Sequence, residues 1–556
     1  MSDLTGPGGL FEIVEEAVLG VPTRVWKNAP SSLRDMWDQS AGHADRTYLV
    51  YEDTRYTYAQ AHRAVAALAR QLTERWGVGQ GDRVAIAMRN YPEWALAFWA
   101  TVAIGAVAVP LNAWWTGAEL AYGLADSGAV VLFADRERRE RLIGHLDPLR
   151  LRAVVAVREP EASAGVEPFD DMIQSLDERL PDVDISPDDD ATILYTSGTT
   201  GKPKGAVGTH RNIGNFVMNG LYAAATGARV APPPAEPGAP PPAPPVTLLT
   251  FPLFHVGGLQ SHLVPYTMYG GTLVLMYRWD AEKAVGLIES EKVTAFSGVP
   301  TTVFQLLDAA QRRGVDLTSV TGMSSGATLV PPELVRRIDT QFASRVSPAN
   351  GYGLTETSGA MVFNAGTRYI EQADSVGVPI SPVNEVAVVD DEGRPAPNGI
   401  VGEVWLKGPT VVRGYFNNPE ATAESFSDGW FHTGDLGRLD EGGRLYVVDR
   451  IKDVVIRGGE NIYAAEVEGA LFEHPDVRDV AVIGLPHPQL GEEVCAVVRL
   501  RDGAPVDEDA LRRHVAERLA AFKVPARIFF RDEELPRNAA GKVLKRQLRE
   551  ELSAAR

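Results

Sequence analysis

Alternation between short apolar runs and longer Ala/Arg/Glu-rich stretches is what most restricts the fold of this chain. Val84-Ala85-Ile86-Ala87-Met88, Val130-Val131-Leu132-Phe133 and Val154-Val155-Ala156-Val157 are separated by segments of helical composition. Strand–helix alternation of this kind predicts parallel sheets covered by helices, an α/β class. Trp94 to Gly117 carries no charge, and its length alone would read as membrane-spanning. Gly105 and Pro110 interrupt it, however, and Val107-Ala108-Val109-Pro110-Leu111 has strand character. A buried helix, a glycine turn and a parallel strand are therefore expected there.

The pattern changes after Gly377. Asn384-Glu385-Val386-Ala387-Val388-Val389-Asp390 and Gly402-Glu403-Val404-Trp405-Leu406-Lys407-Gly408 alternate with turn signals, which predicts an antiparallel β subdomain. A chain of 556 residues is too long for one core. From about Ile451 it carries its own signals: helices over Ala464–Glu473 and Glu508–Phe522, and the strand Val480-Ala481-Val482-Ile483-Gly484. About a hundred residues suffice for a small α+β domain, so the expected division is 1–450 and 451–556. Residues 232–245 are dominated by proline and alanine and should form an extended surface excursion before the strand Val246–Thr250.

A formal charge of −19 argues against nucleic acid as a partner, since phosphate backbones are bound through basic surfaces. The single cysteine, Cys495, cannot form an internal disulfide and lies in an apolar run, where a buried structural thiol is expected. Glu12, Glu15 and Glu16 near the amino terminus do not resemble a secretory signal. A cytoplasmic protein without an integral membrane segment is expected, and the sequence leaves a homodimer open.

Thr196-Ser197-Gly198-Thr199-Thr200-Gly201-Lys202-Pro203-Lys204-Gly205 directly follows the apolar run Ala191–Tyr195. Glycines let backbone N–H groups converge while hydroxyls and ammoniums add donors and charge, a combination suited to a polyphosphate. It is not the GxxxxGK[ST] loop, because Lys202 is followed by Pro203. Further motifs follow: Phe251-Pro252-Leu253-Phe254-His255, Asn350-Gly351-Tyr352-Gly353-Leu354-Thr355-Glu356-Thr357, Gly402-Glu403-Val404, Trp430-Phe431-His432-Thr433-Gly434-Asp435, Asp449-Arg450-Ile451-Lys452-Asp453 and Pro536-Arg537-Asn538-Ala539-Ala540-Gly541-Lys542. In content and order they resemble the adenylate-forming, AMP-binding superfamily of acyl-CoA synthetases, aryl-CoA ligases, luciferases and peptide-synthetase adenylation domains. The chain looks most like the fatty-acid–CoA ligases.

The resemblance implies ATP, Mg²⁺ and coenzyme A as co-substrates, and a role for each matching residue. Thr196, Ser197, Gly198, Thr199, Thr200, Gly201 and Lys204 would hold the β- and γ-phosphates. Glu356 and the Thr196 hydroxyl would hold the metal, a donor set suited to a hard octahedral cation. Gly326 and Ala327 would bind the nucleotide, and the run Asn350, Gly351, Tyr352, Gly353 and Thr355 would border the adenine, with Tyr352 along the base. Asp435 would accept both ribose hydroxyls, assisted by Arg450. Lys542 would bridge the carboxylate and the α-phosphate, and then leave as the small, mobile domain rotates about the hinge at Lys452. Ala540 replaces the hydroxyl residue usual before Gly-Lys, which bears on loop packing. Gly458 and Gly459 would swing in to form the coenzyme A tunnel. His255 would sit where that tunnel meets the acyl site, and Val256, Gly257 and Gly258 would leave room there for an uncharged chain.

The implied reaction is carboxylate plus ATP to acyl-AMP and pyrophosphate, then thioester formation, with a fatty acid as the expected substrate. An aryl-CoA ligase, an amino-acid-activating enzyme and a degenerate nucleotide-binding sensor are the alternatives. His255 stands where amino-acid activators usually carry an aspartate, and Lys204, Glu356 and Lys542 together oppose loss of turnover.

Overall fold

In the computed structural model the described residues are 4–146, 149–159, 165–174, 179–196, 202–230, 243–328, 330–501, 503–539 and 541–554. Ser197, Gly198, Thr199, Thr200 and Gly201, Ala540, and residues 232–242 of the proline-rich stretch lie outside them.

Two large sheets built from the described residues enclose the main core. The first has seven strands in the order Lys204–Thr209, Asp190–Thr196, Val107–Pro110, Arg83–Ala87, Val131–Asp135, Ala153–Val157 and Glu167–Pro168. All its neighbours run parallel except the first pair, which is antiparallel. The second has nine strands, with a parallel centre running from Ser347–Leu354 through Gly322–Gly326, Ala295–Gly298, Val246–Leu249 and Thr272–Leu275 to Thr47–Tyr51. Antiparallel strands close both of its edges.

The uncharged stretch is the centre of this assembly. Pro92–Val102 is a helix with every residue buried, Gly105 turns at φ +72, and Val107–Pro110 is a parallel strand. It packs against Val84 and Ile86 of one sheet and Leu49 and Leu273 of the other. Polar atoms taken into this core find partners: Trp99 Nε1 donates to Tyr48 Oη at 2.9 Å, and Tyr48 Oη lies 2.7 Å from Thr267 Oγ1. No helix among the described residues is long and apolar enough to cross a membrane.

The segment after Gly377 forms the expected antiparallel sheet, with Glu385–Val389, Gly402–Lys407, Trp430–Leu439 and Leu445–Arg450 paired in that order. Beyond it, a third core gathers Val455, Ile462, Val467, Leu471, Val482, Val498 and Leu511 around a separate sheet. Ala464–Phe472 is helical, and the strand over Val480–Gly484 extends to Val477–His487. Cys495 is buried on the strand Gly491–Leu500. The helix expected over Glu508–Phe522 stops at Ala516, and a separate short turn follows at Ala521–Lys523. Pro525 ends that second turn, because it forces Val524 into the extended region (ψ 127°) just ahead of the strand Arg527–Phe530.

Candidate active site

The site lies where the ends of the large sheets meet the antiparallel sheet and the terminal domain. Ser347–Leu354 brings Asn350, Gly351, Tyr352 and Gly353 to one strand end, with a bulge between Tyr352 and Gly353. The glycine is obligatory, because a Cβ on Gly353 would overlap the carbonyl of Gly359. On the neighbouring strand Gly326 lies against Gly351 O, 3.2 Å from where its Cβ would stand, and Ala327 takes φ +65. A non-glycine residue in that region marks strain at the strand end.

Asp435 ties this edge to the antiparallel sheet. Its Oδ2 accepts a hydrogen bond from the Tyr352 hydroxyl at 2.8 Å, and its Oδ1 lies 3.2 Å from Arg450 Nε on the adjacent strand. Burial and the facing carboxylate push the Tyr352 phenol well above its ordinary value, so it stays a donor. Beneath it, Thr433 Oγ1 accepts from the Asp435 amide at 3.0 Å, and Glu403 Oε1 accepts from the Gly434 amide at 3.0 Å.

Thr355–Thr357 form a single tight turn that buries Glu356. Burial raises its carboxyl, and the Tyr415 hydroxyl, donating to Oε1 at 2.9 Å, opposes that rise. Lys204 pairs with Thr196 across the antiparallel strands, and its ammonium lies 5.0 Å from the centre of the Tyr415 ring. Among the described residues no group of three or more His, Cys, Asp or Glu is arranged to hold a metal. A buried carboxylate and a hydroxyl still fit a hard cation that takes its remaining ligands from phosphate and water.

Lys542 comes from the terminal domain. Its loop is closed by Arg537↔Val543 pairing, by Arg537 Nη1 to Gly541 O at 2.7 Å, and by the Lys542 amide to Asn538 Oδ1 at 2.9 Å. Arg537 is itself anchored to Asp479 at 2.6 Å. The lysine is brought down to about 7, first by burial, then by Arg450 and Lys452, with Asp435 opposing. His255 falls to about 4 through burial and the nearby Lys542. Lys542, Arg450 and Lys452 thus gather around Asp435, with the neutral His255 beside Lys542, a space suited to an anionic ligand.

Other expected site residues do not join it. Gly458 and Gly459 sit exposed at the tip of a hairpin with φ +61 and +88, and a Cβ on Gly459 would meet nothing within 4 Å. The terminal domain therefore presents its Lys542 face and holds the glycine pair away. Val256 is a core residue, and Gly258 is buried where a Cβ would overlap Pro252 O. Both positions are packed in this arrangement, Val256 through its side chain and Gly258 through the close approach of Pro252. Gly257 remains a candidate wall, with its missing Cβ 3.3 Å from Phe251 Cγ. A cleft of about 810 Å³ between the domains borders the lysine loop through Asn538 and Gly541. Tyr352, Glu356 and Asp435 do not line that cleft. Sequence reasoning missed Tyr415 and Asn538. The Arg413-Gly414-Tyr415 run and the polar turn before Gly541 are the signals that could have indicated them.

Residues 36–416 match the model for the AMP-binding enzyme family, and residues 466–542 match that for the AMP-binding enzyme C-terminal domain. The chain belongs to the AMP-binding enzymes. It is similar to a feruloyl-CoA synthase of an Amycolatopsis species, 38% identical over 500 residues, 89% of this chain and 94% of the relative. It is also similar to a long-chain-fatty-acid–CoA ligase of Mycobacterium tuberculosis, 33% identical over 506 residues, 90% and 94% of the two chains. The o-succinylbenzoate-CoA synthetase of Bacillus subtilis, solved with its acyl-adenylate, superposes with a TM-score of 0.77 at 31% identity, covering 93% of this chain and 98% of that one. The AMP-binding enzyme described here is an acid–thiol ligase that forms AMP, and its co-substrates are ATP and coenzyme A, with Mg²⁺.

Proposed function

We propose that this ligase activates an apolar carboxylic acid, a ring-bearing one in the first place and a fatty acid in the second. In the first half-reaction a carboxylate oxygen attacks the α-phosphorus of ATP and pyrophosphate leaves. In the second the thiol of coenzyme A attacks the acyl carbonyl and AMP leaves. The carrying observation is the placement of the half-buried Lys542, from the terminal domain, beside Asp435 and Arg450 of the large one.

Two anions must meet in the first step, so most of the catalysis is positioning and charge stabilisation. Lys542 would lie between the carboxylate and the α-phosphate. Asp435 would exchange its Tyr352 and Arg450 partners for the ribose hydroxyls, with the base bordered by Gly326, Ala327 and Asn350 to Gly353. Thr196, the loop Ser197–Gly201 and Lys204 would hold the β- and γ-phosphates. Glu356 and Thr196 would hold Mg²⁺, which neutralises charge on the departing pyrophosphate. The domains divide after Arg450, and rotation about Lys452 would withdraw Lys542 and bring in Gly458 and Gly459.

The acid preference rests on the surroundings of Gly257. Phe251 lies against it, and Phe251 and Tyr266 flank the His262 ring at 5.8 and 6.2 Å, an aromatic group suited to a planar ring. The similarity to a feruloyl-CoA synthase supports the same class, and that to a long-chain ligase supports the second reading. A cytoplasmic setting completes the proposal, supported by the lone buried thiol. Pyrophosphate release and thioester formation over a panel of cinnamic, phenylacetic, medium-chain and long-chain acids test it. A kcat/KM highest for straight-chain acids would favour the fatty-acid reading, and release with no acid would remove both.

A further inference from the structure

The stretch Val412–Phe416 is stitched to both halves of the phosphate end of the site. It runs beside the strand that leaves the phosphate loop: the Val207 amide donates to Gly414 O at 2.9 Å, the Arg413 amide to Val207 O at 3.0 Å and the Phe416 amide to Gly205 O at 2.8 Å. At its other end the Val412 amide donates to the carbonyl of Glu356 at 3.0 Å. Gly414 makes the close turn, with φ +140 and Thr422 Cγ2 only 2.5 Å from where a Cβ would be. Thr422 Oγ1 then accepts from the Tyr415 amide at 3.0 Å. The backbone is thus fixed on each side of Tyr415, and the ring edge rests on Phe426 at 5.7 Å.

From this mount one side chain reaches two functional groups. The Tyr415 hydroxyl donates to Glu356 Oε1 at 2.9 Å, and the Lys204 ammonium stands 5.0 Å from the ring centre. We infer that Tyr415 is a positioning residue for the phosphate end: its hydroxyl fixes the Glu356 carboxylate for the metal, and its ring face holds Lys204 toward the phosphates. The inference rests on the roles proposed above for Glu356 and Lys204. It assigns the two functions to separable parts of one side chain, because phenylalanine keeps the ring and loses the hydroxyl, whereas leucine loses both.

The test is calorimetric titration of ATP into the full-length protein, with Mg²⁺ and with EDTA, for the parent, Tyr415→Phe, Tyr415→Leu and Glu356→Gln. Tyr415→Phe should weaken Mg²⁺-dependent ATP affinity by about tenfold, as expected for loss of a hydrogen bond to a charged group, and leave metal-free affinity unchanged. Tyr415→Leu should in addition weaken metal-free affinity by about threefold, and that increment should vanish in a Lys204→Met background. Equal loss with and without Mg²⁺ in Tyr415→Phe would reduce Tyr415 to a packing residue and overturn the inference. An unaltered Tyr415→Phe beside an impaired Glu356→Gln would also overturn it and leave the Glu356 assignment standing. If Glu356→Gln itself keeps the full Mg²⁺ effect, the assignment of Glu356 falls and the inference with it.

Discussion

Gly541 and Val299 meet so closely that a Cβ on the glycine would lie 2.8 Å from Val299 Cγ2, and the glycine holds φ +80. One residue belongs to the terminal domain and the other begins the helix Pro300–Arg313 as its N-cap, so this contact sets how deep the Lys542 loop can seat. Gly459 is the opposite case, since a side chain there would meet open space in this arrangement.

Substitutions at these two glycines should therefore separate the half-reactions. Gly541→Ala strains its own backbone and pushes on Val299. Acyl-AMP formation should fall by about 10²-fold while thioester formation from synthetic acyl-AMP is retained, because small misplacements of a catalytic group are costly. Gly459→Leu should leave pyrophosphate release intact and stop thioester formation. Parallel loss of both activities in either variant would mean that a single domain arrangement serves both steps.

The two acceptor oxygens of Asp435 predict a nucleotide-specific defect. Asp435→Ala leaves Arg450 and Tyr352 without their shared partner, and removes the two charge-assisted hydrogen bonds proposed to the ribose hydroxyls, each about 1.5–3 kcal/mol. The KM for ATP should rise at least about tenfold. A change confined to the KM for the acid would assign Asp435 to the other substrate.

Much of this was legible before the fold was known, for physical reasons. Strands buried on both faces are apolar throughout, so the runs over Val84–Met88 and Val154–Val157 announced parallel sheets. Gly353 and Asp435 were singled out through the resemblance of the motifs that carry them, and the structure gives the glycine a physical reason in the carbonyl of Gly359. Tyr415 was not, because its function arises from lying across from Glu356, 59 residues away in sequence. The close approach of the Pro252 carbonyl to Gly258 was not legible either, since a glycine in a sequence does not state which neighbour excludes its side chain.

Lys542 predicts a proton uptake that accompanies substrate binding. Burial first, and then Arg450 and Lys452, lower the ammonium to about 7, so above that pH the free protein holds it mostly neutral. Binding two anions beside it restores the charged form. Calorimetry at pH 8 in buffers of different ionisation enthalpy should show close to one proton taken up per ATP and acid bound, falling toward zero at pH 6. The kcat/KM for adenylation should decline as pH rises above about 7, since protonation must then be driven by binding. Lys542→Ala should abolish the uptake, and an unchanged proton balance in that variant would assign the titration to another group.

The last prediction concerns the seam between the domains, where Lys545 stands between Glu468 at 2.8 Å and the Asp449 carboxylate. Burial works against the Lys545 charge, but Glu468, Asp449 and Asp453 outweigh it and the ammonium is raised. Burial raises Asp449 to about 6, with Lys545 opposing. Removing the cation strands two carboxylates, so Lys545→Met should cost up to about 3 kcal/mol at pH 7.5, less than a fully buried ion pair because Lys545 and Glu468 are 16% and 20% exposed. The sign with pH follows from Asp449. A carboxyl whose folded value lies above its unfolded one favours the folded state most below the unfolded value, and that advantage is lost as pH rises through about 6. The Lys545→Met deficit should therefore be smaller at pH 5 than at pH 8. Adding Asp449→Asn removes one stranded charge and should recover part of the loss at pH 8 with little effect at pH 5. Denaturant unfolding of the parent, the single variants and the double variant at both pH values measures this cycle. A deficit that is equal at both pH values and untouched by Asp449→Asn would show that Lys545 acts through packing, with no electrostatic coupling across the seam.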